Sequence, residues 1–136
     1  MVTLQMIHFI SSALFGVMIS FMILVTPIVF KVLDSKNAQS FLRTFFPRLF
    51  NLGLIVSGVL IILSFQETIV FYKITSISIF FGFMINQFII TPKINKYRDL
   101  ELNNTKGAKK VFSILHFISV FIFIIQLILT LLIIFT

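Results

Sequence analysis

A few polar side chains interrupt the long apolar runs of this sequence, and they are the residues that could do chemistry there. Along the last run, four polar residues fall within an arc of about 80° when successive residues turn by about 100°: His116, Ser119, Gln126 and Thr130. Polar groups deep in a membrane are unfavourable unless they face the interior of a helix bundle. This face predicts a ligand pocket or a permeation path, with hydrogen bonding between helices as the alternative explanation.

The sequence offers little for catalysis or for metal binding. It contains no Cys, and its four acidic residues lie in or beside the connections, so no buried carboxylate relays protons and no Ser-His-Asp arrangement is evident. His8 and His116 lie near opposite ends of the expected bundle, about 25 Å apart in depth, so they cannot share a metal. No metal site or catalytic residue is predicted, and the sequence favours a function that is not enzymatic. His8 alone could still be an axial ligand of haem, the one cofactor kept as an alternative.

Composition places the elements that hold these residues in a membrane. Of the 136 residues, 59% are hydrophobic and 11% are charged, and the mean hydropathy is +1.14. About 20 apolar residues cross a hydrocarbon core of about 30 Å. Four spans are therefore predicted, at residues 1–30, 48–66, 69–92 and 111–135. The expected fold is an all-α integral membrane four-helix bundle in a single membrane domain, 1–136, with a short interfacial helix in the first connection, residues 34–48.

A duplicated motif orders the four spans. Residues 15–34 and 81–99 share the spacing T-P-x3-K-x2-D, and each copy ends an apolar run in a basic segment. The chain is therefore predicted to consist of two parallel helical-hairpin repeats, 1–66 and 67–136. A pseudo-twofold axis along the membrane normal would relate the two repeats.

The repeat predicts one polar cluster towards the basic side of the membrane. It pairs Asn51 with His116, and these two side chains are expected to approach each other across the bundle. In that cluster His116 would be a structural or ligand-contacting hydrogen-bond hub. The residues of the ligand-site hypothesis are Asn51, Asn86, His116, Ser119 and Gln126.

Basic residues indicate the orientation of the bundle. Of the 11 Lys and Arg, four fall in residues 31–48 and six in residues 93–110. Loops rich in Lys and Arg stay in the cytoplasm, so a multi-pass protein of the cell (inner) membrane with both termini outside is expected. Because topology explains the net charge of +7, nucleic acid is not an expected partner. The expected partners are the lipid bilayer and a second copy or a membrane partner protein, and a surplus face on the second helix could serve for dimerisation.

Several motifs of the chain recur in a known family: VTPIVFKVL and FFPRLF within residues 16–50, Asn86 with Pro92, and LHxxS at residues 115–119. In these motifs the chain resembles the four-helix family called domain of unknown function forty-one forty-nine, also described as transmembrane-protein-two-hundred-and-five-like. The resemblance implies a membrane protein without an established biochemical activity. A more distant resemblance, through His8 in the first helix, is to the HemJ and CopD families, which implies haem-linked oxidoreductase or copper-handling chemistry.

Two classes of function follow from these observations. The leading hypothesis is an integral membrane protein that binds or transports a small molecule or lipid, or that acts as an accessory of a membrane complex. The alternative is a haem-linked membrane oxidoreductase of the HemJ and CopD kind.

Overall fold

The computed structural model describes residues 1–136 as four long helices joined by short turns. We label them α1 (Val2–Val32), α2 (Ser35–Ser64), α3 (Val70–Leu102) and α4 (Ala108–Phe135). Each is long and apolar enough to cross a membrane, so the chain is a multi-pass membrane protein with an all-helical fold. The predicted spans are confirmed in number and order.

Each helix packs mainly against its two neighbours, and α1 closes the ring by contacting α4. Helices α1 and α3 therefore lie on one diagonal of the bundle, and α2 and α4 lie on the other. One apolar core of 13 buried residues runs through the centre, and Ile7, Met18, Leu60, Ile79 and Ile133 are among its fully buried members. Most other large apolar side chains point outward, as expected when lipid surrounds a bundle.

The separate interfacial helix predicted at residues 34–48 is wrong. Only Leu33 and Asp34 separate α1 from α2, and α2 continues through Pro47 as a single helix. Aromatic packing explains this continuity. The ring of Phe45 stacks on Phe21 with centroids 4.7 Å apart, so the first turns of α2 are held against α1 and remain in line with the span.

Helix α3 extends ten residues beyond its predicted end near residue 92. Polar contacts with α2 hold this extension, because the guanidinium of Arg43 donates to Asp99 at 2.9 Å and to the carbonyl oxygen of Asn95 at 2.7 Å. The predicted turn at residues 103–107 is present, with Asn104 and Gly107 at positive φ. These contacts bring the two basic segments to one end of the bundle, which we call the basic end.

Two π-helical turns were not predicted, and each lies directly before a Thr-Pro pair. They span Phe21–Val25 and Asn86–Ile90. Proline has no N–H, and its ring crowds the carbonyl four residues earlier, so it disturbs the regular α-helical hydrogen bonds before it. The backbone widens instead: the N–H of Thr26 donates to Phe21 O, and the N–H of Thr91 donates to Asn86 O, five residues back. Both copies of the duplicated motif thus adopt the same backbone.

Candidate functional site

Asn86 opens the second π-helical turn and is fully buried. Its amide nitrogen Nδ2 donates to the backbone carbonyl of Ser119 on α4 at 3.4 Å. Because a carbonyl oxygen can only accept, the side-chain atom that faces it must be the nitrogen. The amide oxygen Oδ1 therefore points elsewhere, and it is buried without a hydrogen-bond partner.

Gln126 on α4 repeats this arrangement in the opposite direction. Its Nε2 donates to the backbone carbonyl of Ile79 on α3 at 2.8 Å, and its Oε1 is buried without a partner. Gly82 makes room for the amide, since a Cβ atom at that position would lie 2.7 Å from Nε2. Thr130, one turn further along α4, donates its hydroxyl to the carbonyl of Gln126.

The two amides form a reciprocal pair across the interface of α3 and α4. Asn86 lies seven residues after Ile79, and Gln126 lies seven residues after Ser119, so the antiparallel helices keep one register across both bonds. At a rise of about 1.5 Å per residue the two contacts are about 10 Å apart. The interface therefore presents two buried, unpaired amide oxygens in succession along the bundle.

Gln87 connects the same turn to the other neighbouring helix. Its Nε2 donates to Oδ1 of Asn51 on α2 at 3.1 Å, while its Oε1 is buried without a partner. Adjacent residues point in different directions around a helix, which lets Asn86 reach α4 while Gln87 reaches α2. Of the residues in the sequence hypothesis, Asn51, Asn86 and Ser119 are thus brought to one level of the bundle. Gln87 was not among the predicted site residues, and its position next to Asn86 in the sequence is the feature that could have indicated it.

His116 does not join this cluster. It is exposed on the outer side of α4, where its ring stacks on Phe112 with centroids 6.2 Å apart. The expected approach of Asn51 and His116 is wrong because α2 and α4 lie on a diagonal and His116 faces outward. The polar arc on α4 is divided: Gln126 points inward, and Ser119 contributes its backbone carbonyl. A ligand contact of His116 remains a prediction.

A second group of unpaired polar atoms lies nearer the end opposite the basic end. His8 is half-buried, its Nε2 has no hydrogen-bond partner, and its ring meets the edge of Tyr72 at 6.1 Å between centroids. The hydroxyl oxygens of Ser11 and Ser76 are also buried and unpaired. Neither serine was predicted, because a single Ser in an apolar run is compatible with any side of a helix.

The comparisons with known proteins gave one match. The family described as Domain of unknown function (DUF4149) matches residues 9–102, more than two thirds of the chain. The matched segment includes Asn51, Asn86 and Gln87 and ends where α3 ends, so it does not reach Ser119 or Gln126. No curated protein and no solved structure matches the chain.

Proposed function

The chain belongs to the family described as Domain of unknown function (DUF4149), and we propose that its interior binds or passes a small uncharged molecule that donates hydrogen bonds. The observation that carries this proposal is the pair of unpaired amide oxygens of Asn86 and Gln126. Their orientation is fixed because each amide nitrogen faces a backbone carbonyl. Buried acceptors without donors are unfavourable, so a donor ligand such as water, an alcohol or an amide would stabilise them.

The charge distribution favours an uncharged ligand. The acidic residues lie at the helix ends or in the turns, and no cluster of carboxylate and His side chains could hold a metal ion. A charged molecule in the apolar interior would lose its hydration without gaining a countercharge. A neutral molecule loses less hydration free energy, and hydrogen bonds to the amide oxygens can replace its hydrogen bonds to water.

The spacing of the unpaired groups favours passage over a single contact point. On α3 they extend from Ser76 to Gln87, eleven residues and about 16 Å of helix, which is about half of the hydrocarbon core. On α1, His8 and Ser11 continue the series towards the end opposite the basic end. The hydrogen bonds between helices use the amide nitrogens of Asn86, Gln87 and Gln126 and leave their oxygen atoms without partners.

Solute flux into proteoliposomes tests this proposal. Glycerol and urea entry, followed by stopped-flow light scattering, should be faster than in empty liposomes, and Asn86→Leu and Gln126→Met should each reduce it several-fold. Both substitutions keep the length of the side chain and remove the unpaired oxygen. Ser78→Ala is the matched control, because the Ser78 hydroxyl is exposed and bonds within its own helix, to Ile74 O at 2.9 Å. Flux equal to that of empty liposomes would contradict the proposal and leave the amides a structural role.

Haem is the second candidate, and the buried, unpaired Nε2 of His8 is the observation that favours it. The ring of Tyr72 lies beside His8, and the other histidine, His116, lies near the basic end of α4, too far away to be a second axial ligand of the same haem. An absorption spectrum of the purified, haem-supplemented protein tests the candidate. We expect no Soret band, and a band that His8→Ala removes would favour the oxidoreductase.

For orientation, we propose that the basic end lies in the cytoplasm of the cell (inner) membrane. Ten of the 11 Lys and Arg fall in the two segments at that end, and such loops are retained on the cytoplasmic side. Reporter fusions after Thr136 and within residues 103–107 should report opposite compartments. A cytoplasmic Thr136 would reverse the assignment.

A further inference from the structure

A hollow of about 430 Å³ at the basic end has chemistry that the interior lacks. Its lining comes from the first turns of α2 and the last turns of α3: Ser35, Lys36, Gln39, Arg98 and Leu102. Four of these side chains are polar or cationic, and Leu102 is apolar and exposed. The hollow therefore combines hydrogen-bond donors and positive charge with a largely apolar surface, formed by Leu102 and the carbon chains of the polar side chains.

Arg98 is held in position by three contacts. Its Nε donates to Oε1 of Gln39 at 3.1 Å, its Nη1 donates to Oε2 of Glu101 at 2.7 Å, and its guanidinium lies 5.3 Å from the ring centre of Phe112. Gln39 is itself oriented, because its Nε2 donates to Ser35 Oγ at 3.1 Å. These contacts leave Nη2 of Arg98 and the hydroxyl proton of Ser35 available to donate.

Charge adds to this geometry. Glu101 forms an ion pair with Arg98, whereas Lys36 forms neither an ion pair nor a hydrogen bond in the structure, so its charge is available to a ligand in the hollow. Arg43, on the same helix as Lys36, is not available in this way, because its guanidinium already donates to Asn95 and Asp99. A phosphodiester carries one negative charge and several acceptor oxygens, which match a pre-positioned guanidinium, an ammonium and a hydroxyl.

We propose that this hollow binds a phosphate group, with the headgroup of an anionic phospholipid as its source. The polar side would hold the phosphate, and Leu102 would contact the glycerol or the first carbons of an acyl chain. The hollow lies beside the helix ends, the level at which headgroups surround a membrane protein. This proposal does not depend on passage through the interior.

Native mass spectrometry of the detergent-solubilised protein tests it, with phosphatidylglycerol and phosphatidylcholine as probes. Wild-type protein should bind phosphatidylglycerol about tenfold more tightly than phosphatidylcholine. Lys36→Gln should remove most of this preference, and because Lys36 has no protein partner the fold should persist. Arg98→Gln should remove it as well, and Arg98→Lys should restore it only in part, since a Lys lacks the planar fork.

Lys109→Gln is the matched control, because it removes the same charge from the basic end without touching the hollow. Equal losses in Lys36→Gln and Lys109→Gln would overturn the site and leave a diffuse effect of charge. Binding of inorganic phosphate that is lost in Lys36→Gln, without a preference for phosphatidylglycerol, would support the phosphate site and identify a soluble ligand as its source. No preference for phosphatidylglycerol together with no binding of inorganic phosphate would overturn the proposal.

Discussion

The two π-helical turns have the same backbone and different surroundings. At Phe21–Val25 the opening residue is an aromatic ring, which stacks on Phe45 and meets the edge of Phe46 at 5.2 Å. At Asn86–Ile90 the opening residues are two amides, which bond to α4 and α2 and leave oxygen atoms unpaired. One turn is closed by apolar packing, and the other presents hydrogen-bonding groups.

The shared backbone and the differing side chains of the two turns therefore have separate consequences. In both copies of the motif the wide turn lies directly before the Thr-Pro pair, where proline removes one regular hydrogen bond. The wide turn alone is therefore no evidence of a ligand site. Only the turn at Asn86–Ile90 adds buried, unpaired polar atoms, so the proposed passage of a small molecule is centred on α3 and α4.

The largest effect is expected when the residue that opens each turn is truncated. Phe21→Ala should lower the free energy of unfolding by about 2–3 kcal/mol, the low end for aromatic truncation, because lipid replaces part of the lost contact. Asn86→Ala should lower it by about 1 kcal/mol or less, since a hydrogen bond between membrane helices contributes about 0.6 kcal/mol. Reversible unfolding in mixed micelles of detergent and SDS measures both. Similar losses would show that the two turns serve the same structural role.

A smaller effect is expected at the glycine against which Gln126 packs. In Gly82→Ala the new Cβ would lie 2.7 Å from Nε2 of Gln126 and would displace the amide from Ile79 O. We expect a loss of about 1 kcal/mol in unfolding free energy, because the end of a flexible side chain can move, together with slower glycerol entry. The same unfolding and flux measurements apply.

Gly16→Ala is the control for that substitution. Nothing lies within 4 Å of a Cβ atom built at Gly16, so the change adds a methyl group without a clash. Both substitutions gain the same helix propensity, and the difference between them isolates the displaced amide. If Gly82→Ala were as stable as Gly16→Ala and kept full flux, the position of the Gln126 amide would not matter.

The sequence predicted those features that depend on hydropathy and on turn residues. Four spans were predicted from long apolar runs, and the turn at 103–107 was predicted from Asn and Gly. The burial of Asn86 and Gln126 also follows from the rule that amides avoid lipid. The second helix was divided wrongly, because Pro47 resembles a helix start and the aromatic contacts that hold α2 to α1 depend on the fold.

The direction of single side chains was harder to predict. The outside of a membrane bundle is as apolar as its core, so an apolar pattern does not show which side of a helix faces its neighbours. From its polar neighbours along the helix, His116 was predicted to face the interior of the bundle, whereas its side chain is exposed on the outside. The π-helical turns also change the angle between residues before and after them, so an arc drawn at 100° per residue fails across residues 86–90.

The smallest effect concerns the bond between Asn51 and Gln87, and it sharpens the contrast between the two turns. In a double-mutant cycle with Asn51→Ala and Gln87→Ala, we expect a coupling energy of about 0.6 kcal/mol, because Asn51 is exposed and its amide can find other partners. The matching cycle with Phe21→Ala and Phe45→Ala should give about 1 kcal/mol, as stacked rings do. Unfolding in mixed micelles gives both values. If the coupling energy of the amide pair exceeded that of the aromatic pair, the amides of the second turn would mainly hold the helices together. Their unpaired oxygens would then no longer support a ligand.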